Sequence, residues 1–298
     1  MRGKNKAVTK LIVPLAGFGT RFAPSSMAYP KELTHLVDKT VLQYVVEEAV
    51  ESGIREVIFI LNSSKESIRK YFSQTYQDEY VRKAFPKGTA IPKDLAKLHE
   101  LIKKVKFRYI VKQSTLGDGH SVLLARRFIG KEESFAVGMG DLLSFGGEPF
   151  LKQIIDVYRI ENTPVISVEK ISLDETSKFG VIAPRASRGR THEVEDIVEK
   201  PGPAKAPSTF AMTGRYVLTP AVFEILGSLV KKHKKGEVKL AEALKAYAKK
   251  DRLLAYECRG SIQDTGNKLD FLKAAVRFGL RSPVYGTPLK KFIKSLRM

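Results

Sequence analysis

Leu11-Ile-Val-Pro-Leu15, followed directly by Ala16-Gly17-Phe18-Gly19-Thr20-Arg21, is the stretch on which the fold turns. A short apolar run closed by glycines reads as a buried strand with a loop at its C-terminal end. Glycines there let the backbone come close to a phosphate, because no Cβ stands in the way. A plain tight turn uses the same residues, so Gly-x-Gly alone decides little. Two familiar phosphate loops do not fit. A dinucleotide-binding turn wants a further small residue where Phe22 stands, and a P-loop wants Gly-Lys-Ser/Thr, which does not follow. The next dozen residues add chemistry. Thr20 brings a hydroxyl and a backbone amide, Arg21 a forked cation and Lys31 a point cation, a mixture that suits a triphosphate.

Outward from this loop, apolar runs alternate with helical patterns. Leu42, Val45, Val46 and Ala49 make an i, i+3, i+4, i+7 stripe that predicts a helix over Val41–Ser52. Strands are expected at Glu56–Leu61, Lys106–Val111, Phe135–Met139 and Val165–Lys170. Helices are expected at Lys65–Phe72 (behind a serine cap), His120–Phe128 and Pro149–Ile160. Such alternation implies βαβ units and a largely parallel sheet. Beyond Ser172 three strand patterns, Gly180–Ala183, Glu193–Val198 and Met212–Leu218, lack intervening helices, so the sheet becomes mixed there. Helices at Pro220–Leu229, Leu240–Ala248 and Lys268–Phe278 and a strand at Leu253–Glu257 complete the pattern. The fold class is therefore α/β. Gln77–Val105 reads as a helical excursion or lid. No linker rich in Pro or Ser divides the chain, so one domain over 1–298 is expected, with a first half over about 8–170, a substrate-binding half over about 171–281 and a basic C-terminal tail.

Composition narrows the function. Hydrophobic residues make up 43% and charged residues 28%, ordinary for a globular protein with a sizeable core. No apolar run approaches the roughly 20 residues that span a bilayer. The basic start, Met1 to Lys10, leads into a strand and not into an export signal. One cysteine, Cys258, rules out an internal disulfide and a cysteine metal cluster. A cytoplasmic setting without membrane contact is the default. The net charge of +20 invites a nucleic-acid reading, but the cations are spread widely. Local clusters at Lys231–Lys235, Lys249–Arg252 and Lys290–Arg297 suit solvated helix faces and a tail, and no zinc-finger or RNP-type motif accompanies them.

A family resemblance joins these pieces. Gly17-x-Gly-Thr-Arg, Pro30-Lys-Glu and Leu36-Val-Asp-Lys39 closely resemble the sugar-nucleotide pyrophosphorylases, the bacterial glucose-1-phosphate uridylyltransferase branch in particular. The match continues through Gln43-Tyr-Val-Val-Glu47, Ser63-Ser-Lys65-x-x-Ile68, Gln113, Gly119-His120 and Gly140-Asp141. It closes with Phe179-Gly180-Val181, Val198-Glu-Lys-Pro201, Gly214-Arg-Tyr216 and Asp264-x-Gly-Asn-Lys-Leu269. Nearly the whole chain is covered in the family's order.

The resemblance implies a Rossmann-like, mixed but mainly parallel sheet flanked by helices, of the nucleotide-diphospho-sugar transferase type. It implies attack of glucose 1-phosphate on the α-phosphorus of UTP, with Mg²⁺ held by Asp141 and Asp264. Arg21 would bind the triphosphate and Lys31 the transferring phosphoryl group. Ala16, Gly17, Gly19, Thr20, Glu32, Gln113 and Gly119 would surround the nucleotide. Gly180, Glu199 and Lys200 would take the sugar phosphate. A homodimer or homotetramer is implied as well. A sister transferase using dTTP or another sugar 1-phosphate, and a non-catalytic sugar-nucleotide-binding paralogue, are the alternatives. Departures from the family pattern stand at Met27, Thr34, His35, Thr40, Asp118, Lys239 and Ala241. Met27 removes a cation near the triphosphate, and Lys239 and Ala241 touch the sugar side or subunit packing.

Overall fold

Alternate residues of the opening strand, β1 (Lys10–Leu15), leave the sheet in opposite directions. Leu11, Val13 and Leu15 enter one apolar core and Ile12 enters another, which is why this run has no polar face. The computed structural model describes residues 7–113 and 115–296. Met1–Lys6, part of the basic start, and Arg297 and Met298 at the end lie outside them.

After β1 come a short helix, α1 (Ser25–Ala28), and a small hairpin of β2 (His35–Leu36) and β3 (Lys39–Thr40). Next are α2 (Val41–Glu51), β4 (Glu56–Asn62), α3 (Glu66–Tyr71), α4 (Gln74–Ala84), α5 (Lys93–Lys103) and β5 (Lys106–Lys112). Then follow α6 (Asp118–Leu124), β6 (Phe135–Gly138), β7 (Leu142–Phe145), α7 (Phe150–Glu161) and β8 (Val165–Lys170). The remainder runs β9 (Gly180–Arg188), β10 (Thr191–Glu199), β11 (Phe210–Leu218), α8 (Ala221–Lys232) and α9 (Leu240–Ala248). It ends with β12 (Leu254–Glu257), β13 (Ser261–Asp264), α10 (Lys268–Arg281) and α11 (Gly286–Ser295).

One large sheet has the order β5-β4-β1-β6-β11-β8-β12-β10-β9. Strand β1 lies parallel to both β4 and β6, and β4 parallel to β5. Strand β11 runs antiparallel between β6 and β8, and β10 antiparallel between β12 and β9. The sheet is mixed, as expected, with seven of its nine strands running one way and β10 and β11 the other. One core packs α2, α5 and α7 on one face, and the other packs α6, α8 and α9 on the opposite face. From β1 the order steps outward to β4 and β5 on one side and to β6 on the other. That reversal opens a crevice beyond the C-terminal ends of β1 and β6, where parallel α/β sheets bind ligands.

Local chemistry sets the helix starts. The Thr40 hydroxyl accepts from Gln43 N at 3.3 Å to cap α2, and Asn267 Oδ1 accepts from Asp270 N at 3.0 Å to cap α10. The serine cap expected before α3 is not there. Asn62 Oδ1 accepts from Ser64 N at 3.0 Å instead, turning the chain through Ser63–Lys65 before the helix begins. The excursion over Gln77–Val105 takes the helical form of the two expected, and its α5 buries Leu98, Leu101 and Ile102 in the core beside α2. One other expectation changes, since the segment after Arg281 is no simple tail. It forms α11, and Gly279 gives room for Leu289 to pack back onto α10.

Candidate active site

The crevice is a cleft of about 670 Å³. Its floor is the loop after β1, with Ala16, Gly17, Gly19, Thr20 and Arg21 all lining it. The loop is tied down beneath by Asn62, whose amide donates to Ala16 O at 2.9 Å. Gly19 sits at φ +69, a left-handed conformation that disfavours any side chain. A Cβ on Gly17 would meet no protein atom within 4 Å, so the space beside it belongs to the cleft. Arg21 is exposed and has no ion-pair partner among the described residues, which leaves its guanidinium for a ligand.

Asp141 and Asp264, remote in sequence, meet across the cleft. A two-stranded ribbon of β7 and β13 pairs Leu142 with Asp264, and Thr265 ties the two turns together. Its amide and hydroxyl donate to Asp141 O at 2.8 and 2.7 Å. A Cβ on Gly266 would lie 2.9 Å from both Asp141 Oδ2 and Asp264 Oδ1. The two oxygens therefore flank one point, no more than about 6 Å apart. Lys31 Nζ donates to Asp141 Oδ2 at 2.5 Å. Burial and then the neighbouring Asp141 push the Asp264 carboxyl above its ordinary range, although Gly266 N–H donates to it at 2.6 Å. Burial alone would lower the Lys31 ammonium, but Asp141, Glu32 and Asp264 reverse this and its pKa ends above normal. Two carboxylates facing one point fit a small divalent cation. Among the described residues no group of three or more His, Cys, Asp or Glu forms a cage. A Mg²⁺ held by two carboxylates completes its shell with phosphate and water oxygens, so the pair suffices.

Beneath this turn lies a feature the sequence reading missed. Arg215, 1% exposed, points inward from β11, where a register irregularity around Gly214 (φ +75) redirects the strand. Its guanidinium donates to Met139 O at 3.1 Å and Leu142 O at 2.6 Å, gripping both sides of Gly140–Asp141. Glu48 from α2 neutralises it at 2.7 Å and also accepts from Ser144 Oγ and Leu151 N. An arginine in the strand-like run Met212–Leu218 was the available signal.

Not every expected nucleotide residue reaches the cleft. Glu32 lines it, but its carboxylate takes two bonds from buried Lys65, at 2.7 and 2.9 Å. Gln113 is exposed just past β5 and does not line the cleft, whereas Thr115, Gly117, Asp118 and Ser121 do. Gly119 is buried and serves packing: a Cβ there would meet Val238 O at 2.8 Å. Asp118, noted as a departure, accepts from Gly119 N at 2.8 Å and Leu240 N at 3.0 Å, capping α9. Burial raises its carboxyl pKa.

Across the cleft the residues expected on the sugar side come together. Gly180 pairs with Glu199 in the β9–β10 register, and a Cβ on Gly180 would meet Met212 Cε at 2.5 Å and Glu199 Oε2 at 3.1 Å. Lys200 is exposed, lines the cleft and sits at φ +49. Lys239 lines the cleft beside them and donates to Glu199 Oε1 at 3.1 Å.

The chain is similar to known nucleotidyl transferases over nearly its whole length. The family model for nucleotidyl transferases matches residues 10–279. The UTP–glucose-1-phosphate uridylyltransferase YngB of Bacillus subtilis is 36% identical over 291 residues, covering 98% of this chain and 96% of that protein. Among solved structures, UTP-bound UGPase from Acinetobacter baumannii superposes with a TM-score of 0.85 at 32% identity, covering 97% of this chain and all of that one. A UDP-glucose pyrophosphorylase complexed with UDP-glucose gives 0.81 at 33% identity, over 92% of this chain and all of that one.

Proposed function

Since the chain belongs to the nucleotidyl transferase family, we propose that it transfers a uridylyl group from UTP to glucose 1-phosphate, giving UDP-glucose and pyrophosphate. The observation that carries the reading is the meeting of Arg21, Lys31, Asp141 and the Asp264 turn around one cleft, with Lys200 opposite. In the reaction a phosphate oxygen of the sugar 1-phosphate bonds to the α-phosphorus. The bond from that phosphorus to the bridging oxygen breaks, and pyrophosphate leaves. The nucleophile is already an anion, so no general base is needed and none of the histidines is called upon. Catalysis reduces to in-line positioning and charge neutralisation.

Each residue then has a task in this proposal. Arg21, free and forked, holds the triphosphate tail and the departing pyrophosphate. Lys31, fixed by Asp141, places its ammonium at the transferring phosphoryl group. Asp141 and Asp264 would hold Mg²⁺, which when bound supplies positive charge to the phosphate oxygens. Ala16, Gly17, Gly19 and Thr20 offer backbone and hydroxyl contacts to the nucleotide. Glu199 takes sugar hydroxyls, Gly180 keeps the backbone clear of them, and Lys200 takes the 1-phosphate. In this reading residues up to about 170 serve the nucleotide and those over about 171–281 the sugar phosphate.

The exposed Leu269, Leu272, Val276 and Leu280 lie at i, i+3, i+7 and i+11 on α10 and support self-association as a dimer or tetramer. No helix among the described residues is long and apolar enough to cross a membrane. The single, unbridged cysteine, Cys258, supports a reducing, cytoplasmic setting.

The test is pyrophosphate release with Mg²⁺, using UTP, dTTP, CTP and ATP against glucose 1-phosphate and a hexosamine 1-phosphate. The expected result is turnover with UTP and glucose 1-phosphate well above every other pair. Turnover with dTTP or another sugar in preference would reassign the substrate. No release with any pair would overturn enzymatic function.

A further inference from the structure

We propose that Lys239 is the positioning residue that orients Glu199 toward the sugar, so that affinity for the sugar phosphate depends on this ion pair. The inference rests on the function proposed above and deepens its sugar side. Among the described residues Lys239 is the single hydrogen-bond donor to the Glu199 side chain, reaching Oε1 at 3.1 Å. The other oxygen, Oε2, lies over Gly180 and remains free to accept from a ligand hydroxyl. A carboxylate held at one oxygen and open at the other is set to receive a hydroxyl in one orientation. Without the lysine it is a partly exposed side chain with several rotamers of similar energy.

The root of Lys239 is fixed far better than its tip. Val238 N donates to Leu116 O at 2.5 Å, and Val238 O accepts from Gly119 N at 3.0 Å. On the other side Leu240 N donates to Asp118 Oδ1 at 3.0 Å. The backbone bearing Lys239 is thus pinned to the nucleotide-side loop, while its side chain reaches across to the sugar side. Glu199, Glu237 and Asp118 together outweigh partial burial and hold the ammonium pKa above its ordinary value, so the cation persists through the neutral range. The pair itself is about one-third exposed at each partner, and such pairs contribute little to folding. Its worth lies in where it puts the carboxylate.

The experiment is steady-state kinetics of the full chain with UTP and glucose 1-phosphate, comparing the unmodified protein with Lys239→Met, Lys239→Arg, Glu199→Gln and the Lys239→Met/Glu199→Gln double variant. The expected result for Lys239→Met is a rise of about tenfold in the sugar-phosphate KM, with the UTP KM within about twofold of normal. Arginine should restore most of the loss. In the Glu199→Gln background the methionine should add little, because a lysine acting through Glu199 has nothing left to orient. An unchanged sugar-phosphate KM in Lys239→Met overturns the inference while the function stands. An effect that persists in full without Glu199 also overturns it, and makes Lys239 a direct substrate contact. If the unmodified chain releases no pyrophosphate from these substrates, the function and the inference fall together.

Discussion

The two ends of the cleft are built differently. At the end proposed for the nucleotide the backbone around Asp141 is gripped by Arg215 and Thr265, and the Asp141 carboxylate accepts from Lys31. At the end proposed for the sugar Glu199 has one side-chain hydrogen-bond donor among the described residues, and Lys200 stands exposed on a left-handed backbone. The contrast has a physical sense. Groups that must stabilise charge on a transferring phosphoryl work best when they cost no reorganisation, which demands a rigid, buried frame. Groups that select a sugar can be held loosely, because the ligand's own hydrogen bonds finish the ordering.

The largest expected effect tests the frame. Replacing Arg215 by Met leaves Glu48 charged and buried without its partner, and should cost about 3–5 kcal/mol in urea unfolding. Adding Glu48→Gln should recover part of that loss. An Arg215→Met protein of normal stability would mean that the nucleotide end is no more tightly framed than the sugar end. Next comes Lys31→Ala, which should lower kcat by roughly 10²–10³ with little change in melting temperature, since Lys31 is partly exposed. Near-normal turnover in that variant would remove Lys31 from the chemistry. Below these sits the tenfold KM effect expected for Lys239→Met at the sugar end.

The smallest effect concerns Asp118, which joins the two ends. Burial raises its pKa in the folded protein above the ordinary aspartate value. The folded state then holds the proton more tightly than the unfolded one, so this group favours folding most below the unfolded pKa. That contribution is lost as pH rises through the folded value. Asp118→Asn keeps an acceptor for Gly119 and Leu240 but cannot ionise. Its stability relative to the unmodified protein should therefore improve from pH 4 to pH 7, as read by melting temperature. A difference that does not vary with pH would show that Asp118 is not ionised at a cost.

Much of this was legible in the sequence because the decisive signals are local. The run Leu11–Leu15 is apolar on both faces because it is the middle of a parallel sheet, and the stripe on α2 has an unbroken helical period. The convergence of Asp141 and Asp264 was not local. It was expected from the family resemblance alone, and the β7–β13 ribbon that enforces it is too short to leave a periodic pattern. Gln113 and Gly119 were expected at the nucleotide through the same resemblance, but Gln113 lies outside the cleft and Gly119 answers to packing against Val238. The role of Arg215 was hidden because a charged residue inside a strand does not announce which distant carbonyls it grips. Helix α11 read as a tail because its lysines mask an apolar face that only α10 reveals.

The most direct check on the account is the Mg²⁺ dependence of UTP binding, measured by titration calorimetry on the unmodified chain, Asp141→Asn and Asp264→Asn. The account predicts that Mg²⁺ tightens UTP binding to the unmodified chain and that either substitution abolishes most of that gain. A gain that survives intact in either variant would contradict the claim that these two carboxylates act together on one ion.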